Sequence, residues 1–113
     1  MKFDFSKAKW EEKGSYITAR VFDISETSFV QMVEIPAGAT VKKHYHRKQT
    51  EVFYILKGEA KLGIEDTEYD AKEGDIFLCK PESIHWVVNS SQNSFKVLVF
   101  KYNWEENDTE WIE

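Results

Sequence analysis

Cysteine is nearly missing from this chain: Cys79 is the only one in 113 residues. An intrachain disulfide is therefore impossible, a thiolate-rich zinc site is excluded, and a reducing, cytoplasmic setting is expected. Arginine is almost as scarce, limited to Arg20 and Arg47, and 15 lysines and arginines face 20 aspartates and glutamates for a formal net charge of -5. That balance argues against a nucleic-acid partner, which needs clustered cations not cancelled by carboxylates. The dense basic stretches, Lys42-Lys43 and Arg47-Lys48, are short enough to be a solvated rim. Long apolar runs are lacking too. Nothing from Met1 to Trp10 resembles a signal peptide and no stretch approaches membrane-spanning length, so a soluble, unprocessed protein with no membrane partner is expected. Without secretion, the glycosylation-like triplets at Asn89 and Asn107 carry no chemistry.

What is present suffices for one core. Hydrophobic residues make up 42% and aromatics 15%, spread from Phe3 to Trp111, and 113 residues bury one core of ordinary size but not two. We expect a single domain over residues 1–113, with a barrel core over about 15–101 and a tail over 102–113 that docks Trp104 and Trp111 on the barrel. The tail reads as extended, with a helix as the alternative.

Short β-prone segments alternate with turn residues along most of the chain, the pattern of an all-β sandwich or barrel. Strands are expected at 16–23, 28–35, 40–46, 51–57, 60–64, 68–71, 75–79, 84–89 and 94–101. Two are apolar on both faces: Phe53 and Ile55 alternate with Val52, Tyr54 and Leu56, and Val97 and Val99 with Leu98 and Phe100. A strand with one face in water would be polar at every second position, so something must cover the outside, and a homodimer is the preferred account.

The three histidines are the most informative residues. His44 and His46 stand two apart on an expected strand, so their rings share a face, about 7 Å apart at Cα. Glu51 follows across a short polar connection that lets the next strand return beside the first, and His85 arrives from a late strand, which a jelly roll brings into the same barrel. Three imidazoles and one carboxylate suit a first-row divalent ion with a position left open for water or substrate. Strand parity puts Phe53, Ile55 and Val87 on the ligand side, giving a mostly apolar pocket, while Tyr45, Trp86 and Val88 should face away. Asn89 either hydrogen-bonds a ligand residue or shapes a strand-end turn. Cys79 reads as an inert core or surface residue.

Gly38-x5-His44-x-His46-x4-Glu51-x6-Gly58 matches the first motif of the cupin superfamily at every defining position. The second motif is met by Gly74, His85 and Asn89 at the expected spacing, but Lys80 stands where proline is usual and Glu82 where glycine is usual. The chain thus resembles a small single-domain cupin. The resemblance implies a double-stranded β-helix, or jelly-roll, barrel with a metal near one mouth, held by His44, His46, Glu51 and His85. Gly38, Gly58 and Gly74 would supply turns with positive φ. The implied cofactor is one divalent transition-metal ion, among Fe, Mn, Ni, Cu and Zn. The implied activity is that of a metal-dependent enzyme, dioxygenase-like or related, acting on a small oxygen-bearing metabolite. Capture of a sugar or small acid without catalysis, and isomerase or decarboxylase chemistry, are the alternatives.

Overall fold

The computed structural model describes residues 1–112 and contains eleven strands, all paired antiparallel, with one turn of 3-10 helix at Phe5–Lys7. The strands are β1 (Trp10–Glu12), β2 (Ile17–Ser25), β3 (Ser28–Ile35), β4 (Thr40–His46), β5 (Thr50–Lys57), β6 (Glu59–Ile64), β7 (Thr67–Lys72), β8 (Ile76–Cys79), β9 (His85–Val88), β10 (Phe95–Tyr102) and β11 (Thr109–Trp111). Two sheets face one another, one ordered β1-β2-β3-β10-β5-β8 and the other β11-β4-β9-β6-β7. This is the double-stranded β-helix expected of the motifs. No helix is long and apolar enough to cross a membrane.

Each of the nine expected strands has its counterpart, and the two short terminal ones, β1 and β11, went unforeseen. The tail contains no helix among the described residues. Trp104 meets the Phe29 ring edge-on at 5.7 Å, and β11 pairs with β4 so that Trp111 lies opposite His44.

The core lies between the sheets, where alternate side chains converge: Phe53 and Ile55 from β5, Phe95, Val97 and Val99 from β10, and Leu62 from β6 are all buried. At one end of this apolar interior the burial turns polar, with His44, His46, Glu51 and His85 all under a tenth exposed. Burying a carboxylate among hydrocarbon is costly unless it is paired or coordinated, so this end calls for a functional account.

The opposite face of the six-stranded sheet differs. Tyr54 and Leu56 of β5 and Ile76 and Leu78 of β8 all stand exposed, Ile76 by 67%. The second sheet covers the inner face, so it does not account for the apolar character of these outer positions.

The turns behave as the motif glycines predict. Gly58 adopts φ of 87°, and a Cβ there would lie 2.5 Å from the Ser94 carbonyl oxygen, so both conformation and space demand glycine. Gly38 and Gly74 share the positive φ. At the departure in the second motif, Glu82 takes a left-handed conformation, φ 69°, of the kind that favours glycine. Its N–H donates to the His46 carbonyl at 2.6 Å, tying the segment before His85 to the end of β4.

Candidate metal centre

Both sheets contribute to the site. His44 and His46 stand on β4, and His85 sits directly opposite His44 on the neighbouring β9, past a register shift between Val41 and His44. Such irregularities re-aim side chains near functional sites. Glu51 comes from β5 in the other sheet, delivered by the three-residue connection Arg47 to Gln49. Ligand atoms of His44, His46 and His85 all lie within 4.8 Å of one another. His46 Nε2 is 2.6 Å and His85 Nε2 3.4 Å from Glu51 Oε1.

The other ring nitrogens are held from outside. His44 Nδ1 lies 2.7 Å from the Lys42 carbonyl oxygen and His85 Nδ1 3.0 Å from the Ser83 carbonyl oxygen. A carbonyl only accepts, so each Nδ1 carries the proton and donates it, leaving Nε2 with its lone pair free. His46 Nδ1 sits 3.1 Å from Thr109 Oγ1 on β11. Outer partners of this kind fix ring orientation at metal-ligating histidines.

Electrostatics agree. Burial, assisted by the neighbouring His85 ring, lowers the His44 pKa to about 4, so this imidazole is neutral at pH 7. For Glu51, burial would raise the pKa, but the His46 and His85 rings and the Lys101 ammonium outweigh it and hold the carboxyl well below its ordinary range. Glu51 Oε1 is fully buried and, although His46 Nε2 stands 2.6 Å and His85 Nε2 3.4 Å away, it has no aligned hydrogen-bond donor among the described residues. A buried anionic oxygen without an aligned donor, beside three imidazoles of which two have a free lone pair on Nε2, is what a divalent cation would satisfy. The donor set therefore fits the implied ion.

A cavity of about 120 Å³ adjoins these residues. Phe53 and Val87 line it as parity predicts. Ile55 does not: it points inward but is fully buried in the core, away from the cavity wall. Asn89 is likewise no pocket residue. Its Nδ2 donates to the carbonyl oxygens of Ile35, Pro36 and Asn93, and its Oδ1 accepts from Ser91 N–H and Oγ. The strand ends before Asn89, so it takes the turn role. Trp86, expected to face away, packs its ring on Gly63 with Nε1 3.4 Å from Glu68, yet it also contributes to the cavity wall.

Sequence reasoning missed the polar part of the wall. Lys101, Gln31 and Tyr16 reach the cavity, as do Thr109 and Trp111 from the tail. A signal existed for Lys101: it ends the inward series Phe95, Val97, Val99 and pairs across the ladder with Glu51. For the tail the sign was its two indoles, expected to dock on the barrel, though not that Trp111 would reach the cavity or that Asp108 would hold the connection before Glu51. There Asp108 accepts backbone N–H bonds from Arg47, Lys48 and Gln49 and so clamps the connection between His46 and Glu51.

The family profile described as the Cupin domain matches residues 31–101, more than half the chain and all four candidate ligands. The chain belongs to the cupin family. Among its relatives is an uncharacterized protein of Methanocaldococcus jannaschii, 28% identical over 80 residues, 70% of this chain and 64% of that one. The cupin thus spans slightly less than two thirds of that relative's length. The pectin degradation protein KdgF of Dickeya dadantii is 25% identical over 91 residues, 80% of this cupin and 83% of KdgF. Among solved structures, a predicted oxalate decarboxylase of Thermotoga maritima superposes with a TM-score of 0.83 at 20% identity, covering 91% of this chain and 99% of that one. At that identity the likeness speaks for the fold.

Proposed function

We propose that this cupin is a metal-dependent enzyme that holds one divalent transition-metal ion through His44, His46, Glu51 and His85 and acts on a small, oxygen-bearing metabolite. The observation that carries the reading is the pairing of an orphaned, fully buried Glu51 oxygen with imidazoles whose Nδ1 atoms are committed elsewhere. An ion held there supplies Lewis acidity and, if it is a redox metal, electron transfer to oxygen. The chain's own residues do the rest. Phe53, Val87 and Val99 keep the cavity apolar and exclude water, strengthening every charge interaction inside. Lys101, beside Glu51 on the cavity wall, offers a cation to substrate oxygen. A dioxygenase-like reaction is the finer reading. Non-oxidative turnover, isomerase or decarboxylase in kind, is the second, favoured by the similarity to a protein named for pectin degradation.

Oxygen consumption and substrate loss, measured together on iron-, manganese- and copper-loaded protein across small hydroxy- and keto-acids, decide between them. Oxygen uptake that tracks substrate loss and disappears in His46→Ala supports the oxidative reading. Substrate loss without oxygen uptake supports the second, and binding without turnover in every loaded form leaves a carrier or sensor.

We infer further that a second copy covers the outer face formed by Tyr54, Leu56, Ile76 and Leu78, because strands apolar on both faces are otherwise found buried on both. Light scattering should give twice the 13.3 kDa chain mass, and Ile76→Glu with Leu78→Glu should halve it. A wild-type monomer at high concentration would refute this.

A further inference from the structure

Beside the metal cavity lies a second, larger cleft of about 560 Å³, bounded by the segment from Phe3 to Lys13, the inward side of β2 and β3, and Trp104. The two spaces share Tyr16, Gln31 and Lys101 as wall residues, so they adjoin. In a chain of net charge -5 its lining is conspicuously basic: Lys7, Lys9, Lys13, Arg20 and Lys101 against the single carboxylate of Glu11. Two of these cations already have carboxylate partners: Lys13 lies 3.2 Å from Glu11, and Arg20 Nη1 lies 2.5 Å from Asp23 Oδ1 at the cleft's edge. Lys7 and Lys9 have no ion-pair partner among the described residues.

The inner end of the cleft is built rather than loosely charged. Arg20 lies 3.5 Å and Lys101 5.6 Å from the centre of the buried Phe29 ring, and Trp104 meets the same ring edge-on. Two cations and an indole therefore gather around one aromatic floor. Buried Thr18, with Tyr16 and Gln31, adds hydrogen-bonding groups to the wall.

We propose that this cleft is an anion subsite, and that the cupin's substrate is an elongated small acid whose carboxylate or phosphate end sits among Arg20, Lys101, Lys7 and Lys9 while its other oxygen-bearing end reaches the metal centre. The second half rests on the metal reading above; the subsite itself does not. Charge at the cleft mouth also steers an acid toward a molecule that would otherwise repel it.

The test is calorimetric titration of chelator-stripped and metal-loaded protein with glutarate, glycerol 1-phosphate and the uncharged 1,5-pentanediol. Either acid should bind both forms, more weakly as salt rises, and the diol should not; the stronger acid tells carboxylate from phosphate. Arg20→Gln should weaken acid binding about tenfold or more, the effect of one lost charge-assisted contact. The exposed pair Lys7→Gln/Lys9→Gln should weaken it several-fold, and neither variant should alter metal content. Equal binding of diol and acid, no acid binding, or charge variants that bind like the wild type would overturn the subsite. Acid binding intact in protein that takes up no ion would retain the subsite and sink the metal reading instead.

Discussion

At the scale of single residues, the site gathers around one buried carboxylate oxygen, Glu51 Oε1, with His46 Nε2 at 2.6 Å and His85 Nε2 at 3.4 Å. His44, His46, Glu51 and His85 were legible because the metal-site pattern constrains residue type, spacing and face together, and the structure gathers all four at one buried end of the barrel. Asn89 was ambiguous because parity along a strand cannot say where the strand stops; one residue beyond that end its amide turned to the backbone instead. Asn89→Ala should therefore cost roughly 2–4 kcal/mol in denaturant unfolding, since it strands buried carbonyls, while metal uptake by the folded protein stays at wild-type level. A loss of metal at unchanged stability would contradict the turn role. His44 carries a pH prediction. Its folded pKa of about 4 lies below its ordinary 6.5, so between those values the unfolded chain binds a proton that the folded chain does not. Stability from this group is complete above pH 6.5 and is lost as pH falls toward 4, by up to about 3 kcal/mol in chelator-stripped protein. His44→Gln should flatten that slope in urea titrations, and an unchanged slope would show that His44 is not its source.

At the scale of elements, the strands of the barrel were readable from alternation and turn residues, whereas β1 and β11 were not. Three residues such as Thr109–Trp111 have no period of their own and become a strand only by pairing with β4. Yet β11 matters to the site through the Thr109 hydroxyl against His46 Nδ1. Thr109→Val keeps the shape and removes the hydroxyl, and should weaken metal affinity by about tenfold, the lower end of what outer partners of ligating histidines contribute. Unaltered affinity in a competition assay would show the contact to be incidental. The turn before β9 offers the converse case. Because Glu82 holds a conformation that favours glycine, Glu82→Gly should relieve strain that exceeds glycine's added chain entropy, giving up to about 1 kcal/mol of stabilisation. Destabilisation on thermal or urea unfolding would mean that the Glu82 side chain itself holds the turn.

At the scale of the whole molecule, the two sheets serve one purpose: their inner faces enclose an apolar interior that turns polar at a single end, and the acidic protein surrounds that end with a local basic entrance. The motif spacing made the barrel and the polar cluster at its mouth legible. The entrance was hidden, because Lys7, Arg20 and Lys101 are scattered over three elements and only the fold assembles them. The most direct measurement is metal content and affinity, by elemental analysis and competition titration, of wild-type protein and of His44→Ala, His46→Ala, Glu51→Ala and His85→Ala. One divalent ion per chain, with uptake lost or strongly weakened in each folded variant, is the predicted result; a folded wild type that takes up no ion, or variants that keep it at full affinity, would contradict the account.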